Sequence, residues 1–169
     1  MAQVQAGRYT ADAAALGDEV VVFVIGMRVN RPWQVRRWWP VFAAMPRMLR
    51  HLQQHPEKGL LGFQQSLLPQ PLLVQYWRSF DDLERFARDR SDPHLEPWRR
   101  FNREVGASGD VGIWHETYVV ATSRIETIYA NMPLTGLAAA AGALPVGRGR
   151  GAAAARLGLR PDDPQATAP

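Results

Sequence analysis

The sequence contains no cysteine. That single absence removes disulfide scaffolds, thiolate zinc sites, iron–sulfur clusters and thiol nucleophiles together. Four histidines, His51, His55, His94 and His115, are left to carry any soft-ligand chemistry. Long apolar runs are also missing. The stretch from Val20 to Ile25 is stopped by Gly26 and Arg28, well short of the roughly 18 residues that cross a bilayer, so no membrane span is expected. Met1 to Leu16 has neither the basic start nor the apolar core of a secretory signal, which predicts a cytoplasmic protein. Motifs of fixed meaning are absent as well: no GxGxxG opens a helix, and there is no GxxxxGKS/T, HExxH or GxSxG. Dinucleotide hydride transfer, nucleotide hydrolysis and the commonest metalloprotease and serine-hydrolase chemistries lose their usual support.

What is present describes a folded body of 169 residues. A hydrophobic content of 46% and a charged content of 21% are globular values, which excludes wholesale disorder and a fibrous repeat. The length suits one domain, residues 1–145, followed by an Ala/Gly/Arg-rich tail over 146–169 whose composition predicts disorder. The net charge of +4 is mild, and every basic residue except Lys58 is arginine. Arg85 and Arg88 alternate with Asp82, Glu84 and Asp89, the pattern of a solvated helix face and not of a nucleic-acid surface.

Residues 19–29 (EVVVFVIGMRV) are rich in β-branched side chains and too short for a buried helix, so they predict a central strand. After Pro32, apolar residues at Trp38, Val41, Phe42, Met45, Met48, Leu49 and Leu52 keep helical spacing up to His55-Pro56. Pro40 and Pro46 predict that this helix is broken or starts late. Residues 60–68 and 72–79 flank Pro69-Gln70-Pro71 and read as a hairpin. Ser79, three residues before Asp82, caps a second helix to about Arg90. Asp92-Pro93 restarts helical periodicity through His94, Trp98, Phe101 and Val105, Gly106 to Asp110 is a loop, and residues 111–121 form the last strand. Arg124 to Asn131 reads as a short helix or an extended arm.

The order β-α-β-β-α-β predicts an α+β fold of the ferredoxin-like, split βαβ kind, with a four-stranded antiparallel sheet covered by helices on one face. Apolar residues on both faces of the first strand then call for a cover on the other side. A second copy supplies it, so a homodimer enclosing a cavity, a dimeric α/β-barrel, is expected.

Two histidines stand in aromatic settings. His94 falls one helical turn before Trp98, where a rigid apolar face suits a ligand histidine. His115 lies in the last strand, on the face of Val111, Ile113 and Thr117, with Trp114, Glu116 and Tyr118 opposite; from there it is placed to donate or remove a proton. Plainer readings exist for each. A histidine after Asp92-Pro93 suits a helix start, and a strand histidine is commonly a satisfied core or interface group. His51 and His55 are four apart, which a metal tolerates, but Pro56 and the polar Gln53 and Gln54 suit a frayed helix end. Glu116 joins His115 as a catalytic candidate without a recognisable carboxylate partner.

The stretches IGMRVNRPW (25–33), RWWPVFAAMPRML (37–49), SFDDLERFARDRSDPHLEPWRRFNR (79–103), GIWHETYVV (112–120) and IYANMP (128–133) resemble a monooxygenase-like family of dimeric α/β-barrel proteins. The resemblance covers roughly residues 8 to 145. The region from Leu83 through His94 to Phe101, with the strand bearing Trp114-His115-Glu116, is also similar to the C-terminal half of haem-containing aldoxime dehydratases and spheroidene monooxygenases. In the dehydratases a helical histidine ligates haem iron and a later histidine assists on the opposite side; the matching positions are His94 and His115. That resemblance implies haem b, with His94 as metal ligand, Trp98 beside it, and Arg28 or Arg31 for a propionate or a polar substrate group. This chain is about half as long as the dehydratases, so their remaining distal groups have no counterpart here.

The function expected is an oxidoreductase of monooxygenase type acting on a small hydrophobic substrate, with haem on His94. Three alternatives stand beside it: a cofactor-free monooxygenase, a haem lyase like the dehydratases, and a non-catalytic carrier of a hydrophobic ligand. In the cofactor-free case an electron-rich substrate meets oxygen in a dry cavity lined by Trp77, Trp98 and Trp114, and His115 makes the reducing carbanion.

Overall fold

The two stretches richest in β-branched residues become the longest strands. A computed structural model describes residues 3–67, 70–89, 99, 101–103, 105–147 and 151–159. The chain divides into two compact units, residues 21–118 and residues 1–20 with 119–169.

The first unit is built on a four-stranded sheet in the order β3-β4-β2-β5, formed by β2 (Glu19–Val29), β3 (Leu60–Ser66), β4 (Leu72–Trp77) and β5 (Val111–Ala121). β2 and β5 have the bounds that their sequence predicts. β4 pairs antiparallel with β2, Val21 opposite Trp77 and Ile25 opposite Leu73, and with β3, Gln65 opposite Leu73. α1 (Val35–Gln54) and α2 (Phe80–Arg88) pack on one face. Ala44, Met48 and Leu52 of α1 and Leu83 and Phe86 of α2 close over Val21 and the fully buried Trp77.

α1 runs unbroken through Pro40 and Pro46, against the expectation of a broken helix. Each proline removes a hydrogen bond and costs about 3 kcal/mol. Burial of Ala44, Met48, Leu49 and Leu52 on one stripe offsets that at about 1.5–3 kcal/mol for each large side chain. α2 begins as predicted: the Ser79 side chain accepts from the Asp82 amide at 3.1 Å. It ends at Arg88, two residues earlier than expected.

Two buried carboxylates clamp this unit. Asp110, with its side chain 2% exposed, pairs with Arg31 at 2.8 Å and Arg37 at 2.7 Å, and its carbonyl accepts from the amides of Asn30 and Arg31. Asp82 receives Arg78 and Arg85, each at 2.8 Å.

The second unit holds three short strands, β1 (Arg8–Ala11), β6 (Tyr129–Ala130), inside the stretch expected as a short helix or an extended arm, and β7 (Ala143–Pro145), in the order β6-β1-β7; β1 and β7 were not expected. Tyr9 and Tyr129 stack at 4.9 Å, and the Tyr9 hydroxyl donates to the carbonyl of Pro133 at 2.9 Å. Asn131 takes a left-handed conformation, φ +52°, and its side-chain oxygen accepts from the Gly7 amide. Asparagine tolerates this region better than most residues. Leu137–Ala141 forms α3, with Leu137 and Ala138 buried. Ala153–Arg156 forms α4 where composition alone predicts disorder. The reason is an ion pair: Arg156, 9% exposed, binds Glu126 through Nε at 2.7 Å. No helix among the described residues is long and apolar enough to cross a membrane.

Candidate functional site

Strand alternation sorts the site residues before any packing is considered. On β2, Val21, Phe23, Ile25 and Met27 face the helices, and Val22, Val24, Gly26 and Arg28 face away; the buried cluster around Val21 and the pairing register agree. On β5 the same division puts Ile113 and His115 on the helix side, and Trp114, Glu116 and Tyr118 on the open side.

A cavity of about 340 Å³ lies between α1 and the sheet. Val41, Phe42, Met45 and Pro46 of α1 form one wall, and Ile25, Met27, Leu73 and Ile113 form the other. Among the described lining residues Gln65 and Ser66, at the end of β3, are the polar ones, and none is charged. Trp38, Val41 and Phe42 pack with Phe101 around Met27, Val105 and Val111, which stiffens the α1 wall. The volume falls within the usual range for a small-molecule site, and the balance of many apolar groups with few polar ones is typical.

His115 stands one row beyond this wall. Its ring contacts Phe23 at 5.4 Å, two residues along β5 from Ile113 and two along β2 from Ile25, on the same face. Its side chain is exposed. Glu116 projects to the other face, where its carboxylate accepts from the Tyr118 hydroxyl at 2.5 Å. That bond and the neighbouring negative charge push the Tyr118 phenol up from its ordinary value. His115 and Glu116, paired by their sequence, are therefore not brought together. Arg28 is exposed on the open face beside Gly112. Arg31 is held by Asp110, so its guanidinium is committed within the protein.

Two of the tryptophans expected to line a cavity lie away from this one. Trp77 is fully buried in the core with Leu83 and Phe86, its indole N–H donating to Gln75 at 2.7 Å. Trp114 lies across Gly26 on the open face. Val41, Phe42, Met45 and Pro46 of α1 take the role expected of these rings. Their signal was present in the sequence, because the apolar stripe of α1 is wider than the Ala44-Met48-Leu52 line needed for the core. His94 and Trp98 lie outside the described residues.

The rings of His51 and His55 lie 4.4 Å apart and tilted by 39° at the end of α1, and His55 Nδ1 lies 2.9 Å from Glu57. Among the described residues no group of three or more His, Asp or Glu is placed to hold a metal ion. Among the described residues the cavity lining carries no imidazole or phenol to reach an iron and no cation to meet a propionate, two things a haem pocket supplies; a haem here would be held by His94, which lies outside them.

An antiparallel sheet with both helices on one face defines an α+β protein, and known proteins share its fold. Two solved aldoxime dehydratases, one in complex with butyraldoxime, superpose with TM-scores of 0.62 each. They are 18% and 19% identical, over 80% of this chain and 42% and 43% of theirs. Residues 20–137 match the Monooxygenase af470-like family, and the chain belongs to it. Monooxygenase af470 of Aspergillus fumigatus is 31% identical over 123 residues, which cover 66% of this chain and 42% of the relative. The chain thus spans less than half the length of the curated relative it matches.

Proposed function

We propose that this chain is an oxidoreductase that oxygenates a hydrophobic small molecule held between α1 and the four-stranded sheet. The observation that carries the reading is the uncharged 340 Å³ cavity with His115 on the same sheet face, in a member of a monooxygenase-like family. In its cofactor-free form the chemistry draws on described residues. An activated CH₂ group loses a proton to His115, and the carbanion passes electrons to O₂. One oxygen atom stays on carbon as a carbonyl, the other leaves as water, and the substrate supplies both reducing electrons. An apolar wall serves this by excluding water from the carbanion.

The second reading keeps haem b on His94, with Trp98 beside it. Its support is the fold shared with the aldoxime dehydratases, and it extends to a dehydratase-like lyase. A carrier without turnover would use the same cavity. Absorption of protein expressed with a haem precursor separates the readings. A Soret band that His94→Ala loses supports haem, whereas a colourless protein that consumes oxygen with a carbon acid supports the cofactor-free reading.

The assembly we propose is a cytoplasmic homodimer of ferredoxin-like sheets. The strand order β3-β4-β2-β5 supports the split βαβ arrangement. The open face carries Val22, Val24, Val74 and Tyr76, half-buried, with Trp114 and Tyr118 43% and 50% exposed. Facing copies would bring Glu116 and Arg28 between two sheets, which is where any part they take in catalysis would lie.

A further inference from the structure

We infer that the α1-side cavity selects an uncharged, carbon-rich molecule bearing one hydroxyl or carbonyl group, and that Gln65 is the residue that reads that group. The inference rests on the reading of this cavity as the ligand site and adds the chemical class of the ligand.

None of the described side chains lining the cavity is charged, and the arginines of β2 and α1 nearest to it point elsewhere. Arg28 on β2 is on the opposite face from Met27, and Arg47 and Arg50 of α1 are exposed. A carboxylate or ammonium buried here would lose its water without gaining a partner among the described residues, a cost that an ion avoids by staying in solution. A neutral molecule bears no such cost.

The polar end of the lining is local. Gln65 is opposite Leu73, and Leu73 is opposite Ile25, so the three form one row across the sheet on the face that α1 covers. Ser66 is opposite Leu72, one residue out of phase, and alternation turns its side chain to the other face. The Gln65 amide is thus the side-chain group that combines donor and acceptor on the cavity side. It can accept from a hydroxyl or donate to a carbonyl, and its exposed position leaves it hydrated until a ligand arrives. A site that hydrogen-bonds a ligand discriminates against the analogue lacking the group far better than an apolar wall sorts molecules by size.

Equilibrium dialysis of the full chain at pH 7 against four naphthalene probes tests this: 2-naphthol, naphthalene, 2-naphthoate and 2-naphthylmethylammonium. 2-Naphthol should bind at least tenfold more tightly than either ion. Gln65→Leu should bring 2-naphthol to the affinity of naphthalene and leave naphthalene itself unchanged. Equal binding of an ion, or a 2-naphthol preference that survives Gln65→Leu, overturns the inference while the cavity remains a ligand site. If none of the probes binds, the cavity reading falls and the inference falls with it. Circular dichroism of Gln65→Leu verifies that the variant is folded.

Discussion

The indole of Trp114 lies across Gly26, so close that a β-carbon at position 26 would clash with the edge bearing Nε1, Cε2 and Cζ2. Gly26 also lines the cavity from the other side. At this point a single layer of backbone separates the open-face indole from the cavity. Glycine is required here by the close approach of a neighbour, not by its own backbone angles.

Gly26→Ala should therefore push Trp114 off the sheet. Overpacking of this kind costs about 1–3 kcal/mol. Thermal unfolding should report the loss, and tryptophan emission should shift to the red relative to a Trp114→Phe control carrying the same substitution. Unchanged stability and emission would contradict the packing described.

Asp82 predicts an acid-labile fold. Burial raises its pKa, but hydrogen bonds from Arg78, Ser79 and Arg85 and the charge of Arg78 outweigh burial, and the net shift is downward. Its stabilisation is then complete above the unfolded carboxyl value of about 3.9 and is lost as pH falls through the lower folded value. Asp82→Asn should cost about 2 kcal/mol at pH 7 and flatten the acid limb of a stability–pH curve. A variant with the wild-type acid limb would show that another carboxylate sets it.

Asp110 and Arg31 separate structural from ligand-binding roles. Asp110→Asn leaves Arg31 and Arg37 facing an amide, and denaturant titration should show a loss of about 2 kcal/mol, below the 3–5 of a fully buried pair because both arginines are half-exposed. Arg31→Ala should cost less, since Arg37 still neutralises the carboxylate, and it should leave 2-naphthol binding unchanged. A large loss of ligand affinity in Arg31→Ala would return that residue to the site.

Much of the fold was legible because the strongest local signals agreed with the tertiary structure. β2 and β5 kept the bounds that their β-branched runs imply, and the alternation that puts His115 and Trp114 on opposite faces was readable from residue parity alone. β1 and β7 were not legible, and β6 was half legible, within a short helix or an extended arm. Strands of two to four residues carry no period to detect, and Tyr9 meets Tyr129 only through contact across 120 residues of chain. The cavity was half legible: the wide apolar stripe of α1 was visible, but which part faces core and which faces ligand depends on how the helix sits on the sheet. The tie of Arg31 to Asp110 was not legible for a similar reason, because 79 residues separate the two.

Ile113→Trp tests whether the cavity is where ligands enter. The larger ring should fill the space between β5 and α1, with 2-naphthol affinity reduced more than tenfold and a stability change within the 1–3 kcal/mol of an overpacked core. Undiminished binding would place the ligand elsewhere.

The most direct test of the account is oxygenation of a neutral carbon acid, anthrone, by metal-free protein under ¹⁸O₂. The account predicts acceleration over buffer, one labelled oxygen in the new carbonyl of the product, and a drop of about 10²–10⁴-fold in His115→Ala, the usual contribution of a general base. A rate equal to buffer, an equal rate in His115→Ala, or activity confined to protein with a Soret band would contradict it.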